Sequence, residues 1–167
     1  ASALPMKSVS ESMRLRNKIL QNLERAETED NEARKQALMN IAIVGGGPSG
    51  VEIAGVLAEM KQTILPRDYP DLDTSCMHIY LINATPRLLG AMSERSSREA
   101  EKALKELGVE VMTNCMVTDY VDKELVLKDG QRISAETVIW VSGIKANNID
   151  GIPTESIGHA GRILVDR

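Results

Sequence analysis

Gly45, Gly47 and Gly50 stand at G-x-G-x-x-G spacing, directly after the apolar run Ile41-Ala42-Ile43-Val44. Directly after them Val51, Ile53, Ala54, Val56, Leu57 and Met60 recur with a helical period. Strand, glycine turn and helix in that order form a dinucleotide-binding fingerprint. Each glycine has its own reason. Gly45 permits the tight turn out of the strand, Gly47 lets backbone approach a pyrophosphate with no Cβ between, and Gly50 lets the helix pack closely on the sheet. Pro48 and Ser49 complete the loop. The helix N-terminus adds a partial positive charge, worth ~0.3–1 kcal/mol to an anion and up to ~2 kcal/mol when partly buried. The alternative is a βα turn that holds no ligand; the strand and helix on either side, with small Ala54 and Gly55 on the helix, favour binding.

Five further positions bear on the chemistry. Glu52 is expected in the first turn of the helix after Gly50, where the dipole favours a carboxylate even with nothing bound. Asn83 falls where the second strand ends, the place of the acidic residue that takes adenosine ribose hydroxyls in such folds. A neutral hydrogen bond there is worth ~0.5–1.5 kcal/mol against ~1.5–3 kcal/mol for a charged one. With Arg87 nearby, the absence of a carboxylate also removes repulsion against a 2′-phosphate, so preference for NADH over NADPH stays open. The other reading of Asn83 is a side chain closing a local turn. Gly143 follows the last parallel strand and is expected beside the nicotinamide, at the carboxyl edge where ligands bind. Trp140, among apolar neighbours, reads as core rather than as a stacking platform.

The elements that must position these residues are legible in the pattern. Residues 8–26 form an amphipathic helix with Val9, Met13, Ile19, Leu20 and Leu23 on one side, and 32–39 a second helix. Residues 65–73, with two prolines and three aspartates, read as an irregular surface excursion. Strand 77–82, a helix over 93–107 stopped by Gly108, and strand 109–112 follow. Three strands at 115–121, 124–127 and 131–134, turning at Asp122-Lys123 and Asp129-Gly130, make an antiparallel meander before strand 137–141 rejoins the sheet. The fold class is α/β: a Rossmann-like parallel sheet flanked by helices, with a three-stranded antiparallel β-meander crossover. Residues 1–39 form a helical lead-in, 40–143 the dinucleotide-binding core with its meander at 115–134, and 144–167 a return segment.

Composition fits one globular domain of 167 residues. With 2% aromatics and no Phe, packing rests on aliphatic side chains and 8 Met. A net charge of −4 gives no reason to propose nucleic acid or an anionic membrane as partner. Cys76 and Cys115 read as free thiols, and His78 and His159 are isolated, so metal is not expected. Lys7, Arg14, Arg16 and Lys18 read as a solvated helix face, the alternative being a face toward a neighbouring domain. The run Ile163-Leu164-Val165 reads as a strand whose partner lies elsewhere.

Gly45-Gly-Gly-Pro-Ser-Gly-Val-Glu-Ile-Ala-Gly-Val-Leu-Ala-Glu59 resembles the second glycine motif of two-dinucleotide flavoproteins, most closely type II NADH:quinone oxidoreductases. In the same order, Pro5-Met-Lys-Ser8, Arg14-Leu-Arg16, Pro86-Arg-Leu-Leu89, Val138-Ile-Trp-Val-Ser-Gly-Ile-Lys145 and Gly161-Arg-Ile-Leu-Val-Asp166 are similar to that family. The resemblance implies an excised NAD(H)-binding domain whose flanking sequence carries FAD. It implies that NADH is held for hydride transfer to the flavin and onward to a quinone, with Glu52 as the candidate catalytic residue on the nicotinamide side. Partners would be NADH, the FAD domain of the same chain and, in the full enzyme, quinone; a homodimer stays open. The full-length enzyme would be a peripheral membrane protein on the cytoplasmic side, and this fragment a soluble one, inactive alone. Another flavin-dependent reductase with a different acceptor, and a non-catalytic NAD-binding sensor, are the alternatives.

Overall fold

The computed structural model describes residues 3–143, 146–147 and 149–165. The parts of the sequence motifs at Ile144, Lys145 and Asp166 lie outside the described residues, as does the side chain of His159.

Strand β2 (Ile41–Val44) has four residues, all buried, because it is the middle of a five-stranded parallel sheet. The sheet order is β1 (Leu4–Pro5), β8 (Thr137–Trp140), β2, β3 (Ile79–Ile82) and β4 (Glu110–Met112). Ile43 of β2 pairs with Leu81 of β3 on one side and Ile139 of β8 on the other. A strand buried on both faces reads as a continuous apolar run, and that is why Ile-Ala-Ile-Val shows no polar alternation.

The two faces are covered differently. Ile41 and Ile43 point toward a core with Leu15, Ile19 and Leu23 of α1 (Val9–Glu27), Ile53 and Leu57 of α3 (Pro48–Thr63), and Leu104 of α5 (Glu94–Glu106). Ala42 and Val44, one residue out of phase, meet Leu125, Leu127 and Ile133 of the antiparallel sheet β5 (Val117–Val121), β6 (Glu124–Leu127) and β7 (Arg132–Ser134). Each of the Leu, Ile and Val side chains among them contributes ~1.5–3 kcal/mol relative to exposure. Helix ends sit where the sequence marks them. Ser8, Asn31 and Ser93 accept from the backbone N–H groups of Glu11, Arg34 and Ser96, capping α1, α2 (Glu32–Met39) and α5. Asp122 and Lys123 both have positive φ, as a two-residue hairpin of primed type requires.

Several expectations are corrected. On α1, Val9 and Met13 are exposed, while Leu15, Asn22 and Ala26 join Ile19 and Leu23 on the buried face. Asn22 is admitted because its Nδ2 donates to Thr137 Oγ1 at 3.0 Å, a satisfied polar pair that an apolar stripe cannot reveal. The 65–73 segment is anchored rather than a surface excursion: Leu65 opens a single-turn helix, α4 (Leu65–Asp68), and Leu65 and Leu72 are buried in the core. Trp140 is 38% exposed and not core; it ends β8 at the carboxyl edge, where Nε1 donates to the Ser142 carbonyl at 3.1 Å. Ile163 forms only an isolated antiparallel bridge with Ile157, and Leu164 and Val165 are exposed. Strand β1, two residues long and parallel to β8, is too short to leave a periodic signal.

Candidate functional site

The glycine turn is built from contacts that differ at each position. Gly45 has φ +124°, and a Cβ there would come within 2.8 Å of the Ser142 backbone. At Gly50 a Cβ would lie 1.8 Å from the Gly45 carbonyl oxygen, so the first turn of α3 closes only over a residue without a side chain. Gly47 is the reverse case. Its φ of −77° suits any residue, and a Cβ would meet nothing within 4 Å. No protein group demands a glycine at 47; the open space in front of it lies on the solvent side of the turn, where Gly47, Pro48 and Ser49 are exposed.

Gly47 is the N-cap of α3 and supplies no side-chain cap, and Pro48 has no N–H to satisfy. The first helical hydrogen bond runs from Val51 N–H to the Gly47 carbonyl at 3.1 Å. Among the described residues, the N–H groups of Gly47, Ser49 and Gly50 have no protein acceptor. Gly45 and Gly46 differ, for their N–H groups are taken by the Ile82 carbonyl and Asn83 Oδ1. An uncapped N-terminus of a sixteen-residue helix, facing open space, suits an anion such as a pyrophosphate.

Beside this turn lies a crevice of about 820 Å³ between the start of α1 and the carboxyl edge of the sheet. Ser49 and Gly143 line it together with Met6, Lys7, Ser12 and Val141. Gly143 has φ +79° with nothing near its Cβ position. The contribution of Met6, Lys7 and Ser12 was not foreseen. The capping pattern Ser8-x-x-Glu11, in which Ser8 Oγ accepts from Glu11 N–H and Glu11 Oε2 from Lys7 N–H, marks the start of α1 but not what that start faces.

Glu52 stands elsewhere than expected. Helix α3 begins at Pro48 and has no acidic residue in its first turn, so Glu52 opens the second. It is exposed and lines an apolar groove of about 410 Å³ between α1 and α3, with Arg16, Ile19 and Val56. That groove adjoins the crevice through Met6 and Ser12, which line both.

Asn83 directly follows β3 and is half-buried. Its Oδ1 accepts from Gly46 N–H at 3.1 Å, and its Nδ2 donates to the carbonyls of Thr85 and Arg87, each at 3.0 Å, and to Thr85 Oγ1 at 2.7 Å. Arg87 turns its guanidinium to the Gly90 carbonyl at 2.8 Å. The basic residues of α1 divide: Arg14 and Arg16 are exposed, while Lys18 approaches Glu136 at 3.7 Å. Cys76 is exposed and Cys115 half-buried, both as free thiols; burial, aided by the charge of Asp129, pushes the Cys115 thiol up.

The sequence matches the family model of pyridine nucleotide-disulphide oxidoreductases over residues 3–167. The chain belongs to that family. Within it, the chain is 30% identical to the type II NADH:quinone oxidoreductase Ndh of Mycobacterium tuberculosis, over 97% of this chain and 35% of the relative. It is 37% identical to the type II NADH:quinone oxidoreductase of Haemophilus influenzae over 66% of this chain and 25% of the relative. Thus it spans about a third of the length of the curated relatives it matches. The fold agrees with that of NDH2 from Plasmodium falciparum in complex with NADH, with TM-score 0.81 and 25% identity, covering 87% of this chain and 31% of that one. The parallel sheet, flanking helices and separate antiparallel sheet are therefore this family's Rossmann-like fold. No helix among the described residues is long and apolar enough to cross a membrane.

Proposed function

We propose that this chain is the NADH-binding domain of a flavin-dependent NADH dehydrogenase, with residues 40–143 as the binding core. The observation that carries the reading is the vacant volume at the Cβ position of Gly47, beside the uncapped start of α3. Gly45, Gly47, Pro48, Ser49 and Gly50 form the pyrophosphate cradle, and Gly143 borders the nicotinamide end of the adjoining crevice. Asn83 and Arg87 lie at the adenosine end, where the lack of a carboxylate leaves 2′-phosphate unrepelled. NADH bound there supplies a hydride to FAD held by sequence flanking this domain, and the whole protein delivers electrons to a quinone as a peripheral protein on the cytoplasmic face of the membrane. Glu52, one turn into α3, serves the nicotinamide side from the groove shared with α1. The domain's own contribution is to hold and orient the nucleotide, and no acid–base pair of its own is needed. Likeness to type II NADH:quinone oxidoreductases in sequence and to NDH2 in fold supports the reading.

Calorimetric titration of the 167-residue chain tests it. NADH should bind at one site and FAD should not. A stoichiometric yellow flavin carried through purification, or no heat with NADH, would overturn the assignment of the glycine turn.

A further inference from the structure

Asn83 occupies the position from which a carboxylate would reach the adenosine ribose, yet its amide is already engaged. One oxygen takes the Gly46 N–H, and the amide nitrogen serves the Thr85 and Arg87 carbonyls and the Thr85 hydroxyl. The same loop returns to Gly46 from the other side, since Leu89 N–H donates to the Gly46 carbonyl at 2.7 Å. Both backbone groups of Gly46 are thus held by the segment 83–89. A Cβ on Gly46 would lie 2.8 Å from Asn83 Cγ and 2.6 Å from Leu88 Cδ2, so nothing larger than glycine leaves room for that bond.

We infer that Asn83 is a positioning residue: it locks the glycine turn through Gly46 and so fixes the direction of the free N–H of Gly47, the next residue. An amide is required because it accepts on one side and donates on the other. A carboxylate can keep the Gly46 bond but cannot donate to two carbonyls, and its charge faces their oxygens instead. The consequence reverses the ordinary expectation for this position. Placing an acid there weakens the nucleotide rather than tightening it. Among residues hydrogen-bonded to Asn83, Arg87 and Cys115 carry the titratable side chains, Cys115 through its backbone N–H to the Asn83 carbonyl.

The inference rests on the NADH reading for its binding arm only. Asn83→Asp is nearly isosteric and tests it in two ways. Titrated with NADH at pH 8, the variant should bind about tenfold more weakly than the wild type. Without ligand, its melting temperature should fall below the wild-type value at pH 8, and the gap should narrow at acid pH as the introduced carboxyl takes a proton and regains a donor. In wild-type chain, amide exchange followed by NMR should find Gly46 protected and Gly47 unprotected, a measurement that requires no variant to fold. Tighter NADH binding by Asn83→Asp with an unchanged melting temperature would overturn the inference in favour of a ribose contact. A gap that does not narrow at acid pH, or an unprotected Gly46 amide, would also overturn it. If the wild type fails to bind NADH, the functional reading falls while the ligand-free measurements still decide the role of Asn83.

Discussion

Gly47 and Gly50 lie three residues apart and are glycine for unrelated reasons. At Gly50 the Gly45 carbonyl occupies the space a side chain would need; at Gly47 the space belongs to no protein atom. A Cβ at Gly50 therefore conflicts with the fold, and a Cβ at Gly47 conflicts only with a ligand. Glu52 is the residue whose role rests most on its neighbourhood, because its place in the second turn removes most of the dipole advantage that a first-turn carboxylate enjoys. In the full-length enzyme, Glu52→Gln should lower the rate of flavin reduction by NADH, measured by stopped flow, by about tenfold, within the range of a lost charge-assisted hydrogen bond. An unchanged rate and unchanged NADH affinity would leave Glu52 a surface residue of the groove.

At the scale of elements, α1 is joined to the far side of the sheet by charge as well as by packing. Glu136, between β7 and β8, receives Arg25 of α1 at 3.2 Å, Lys18 of α1 at 3.7 Å, and Lys123 from the β5–β6 turn. Its side chain is only 9% exposed. Burial alone would raise its carboxyl, but hydrogen bonds from Lys123 and Arg25, with their charges, outweigh this and hold it below the ordinary value of 4.5. A carboxyl lowered by folding stabilises the fold above its unfolded pKa, and that stabilisation is lost as pH falls through the folded one. Glu136→Gln should thus cost about 1 kcal/mol at pH 7, the low side for a partner of exposed cations. Urea unfolding should show the difference from wild type shrinking as pH falls below 4.5; a difference that persists in acid would mean packing, not charge, is lost.

Elements with a strong period or a capping residue were legible in the sequence: α2, β2, β6, the meander turns and the glycine turn fall where the pattern puts them. What failed did so for physical reasons. The buried face of α1 includes Asn22, whose polar partner Thr137 is 115 residues away, so the stripe drawn through Val9 and Met13 is rotated from the true one. Trp140 ends its strand at the carboxyl edge of the sheet, and Met6 and Lys7 reach the crevice through a strand of two residues; neither can be read from local pattern. At the site, type and spacing identified the turn, but not that the Asn83 amide is directed at Gly46.

For the whole molecule, the parallel sheet presents its carboxyl edge, the start of α3 and the start of α1 to one crevice, and the central claim is that a dinucleotide pyrophosphate sits where Gly47 leaves space. The most direct test is Gly47→Ala, with melting temperature and calorimetric NADH affinity measured on the same sample, and Gly50→Ala as the contrasting variant. Gly47→Ala should keep its stability to within about 1 kcal/mol, the scale of an N-cap substitution, while NADH binding falls by tenfold or more, the equivalent of about 1.4 kcal/mol. Gly50→Ala should lose stability outright, because its Cβ has the Gly45 carbonyl 1.8 Å away. Undiminished NADH affinity in a fully folded Gly47→Ala chain would contradict the account.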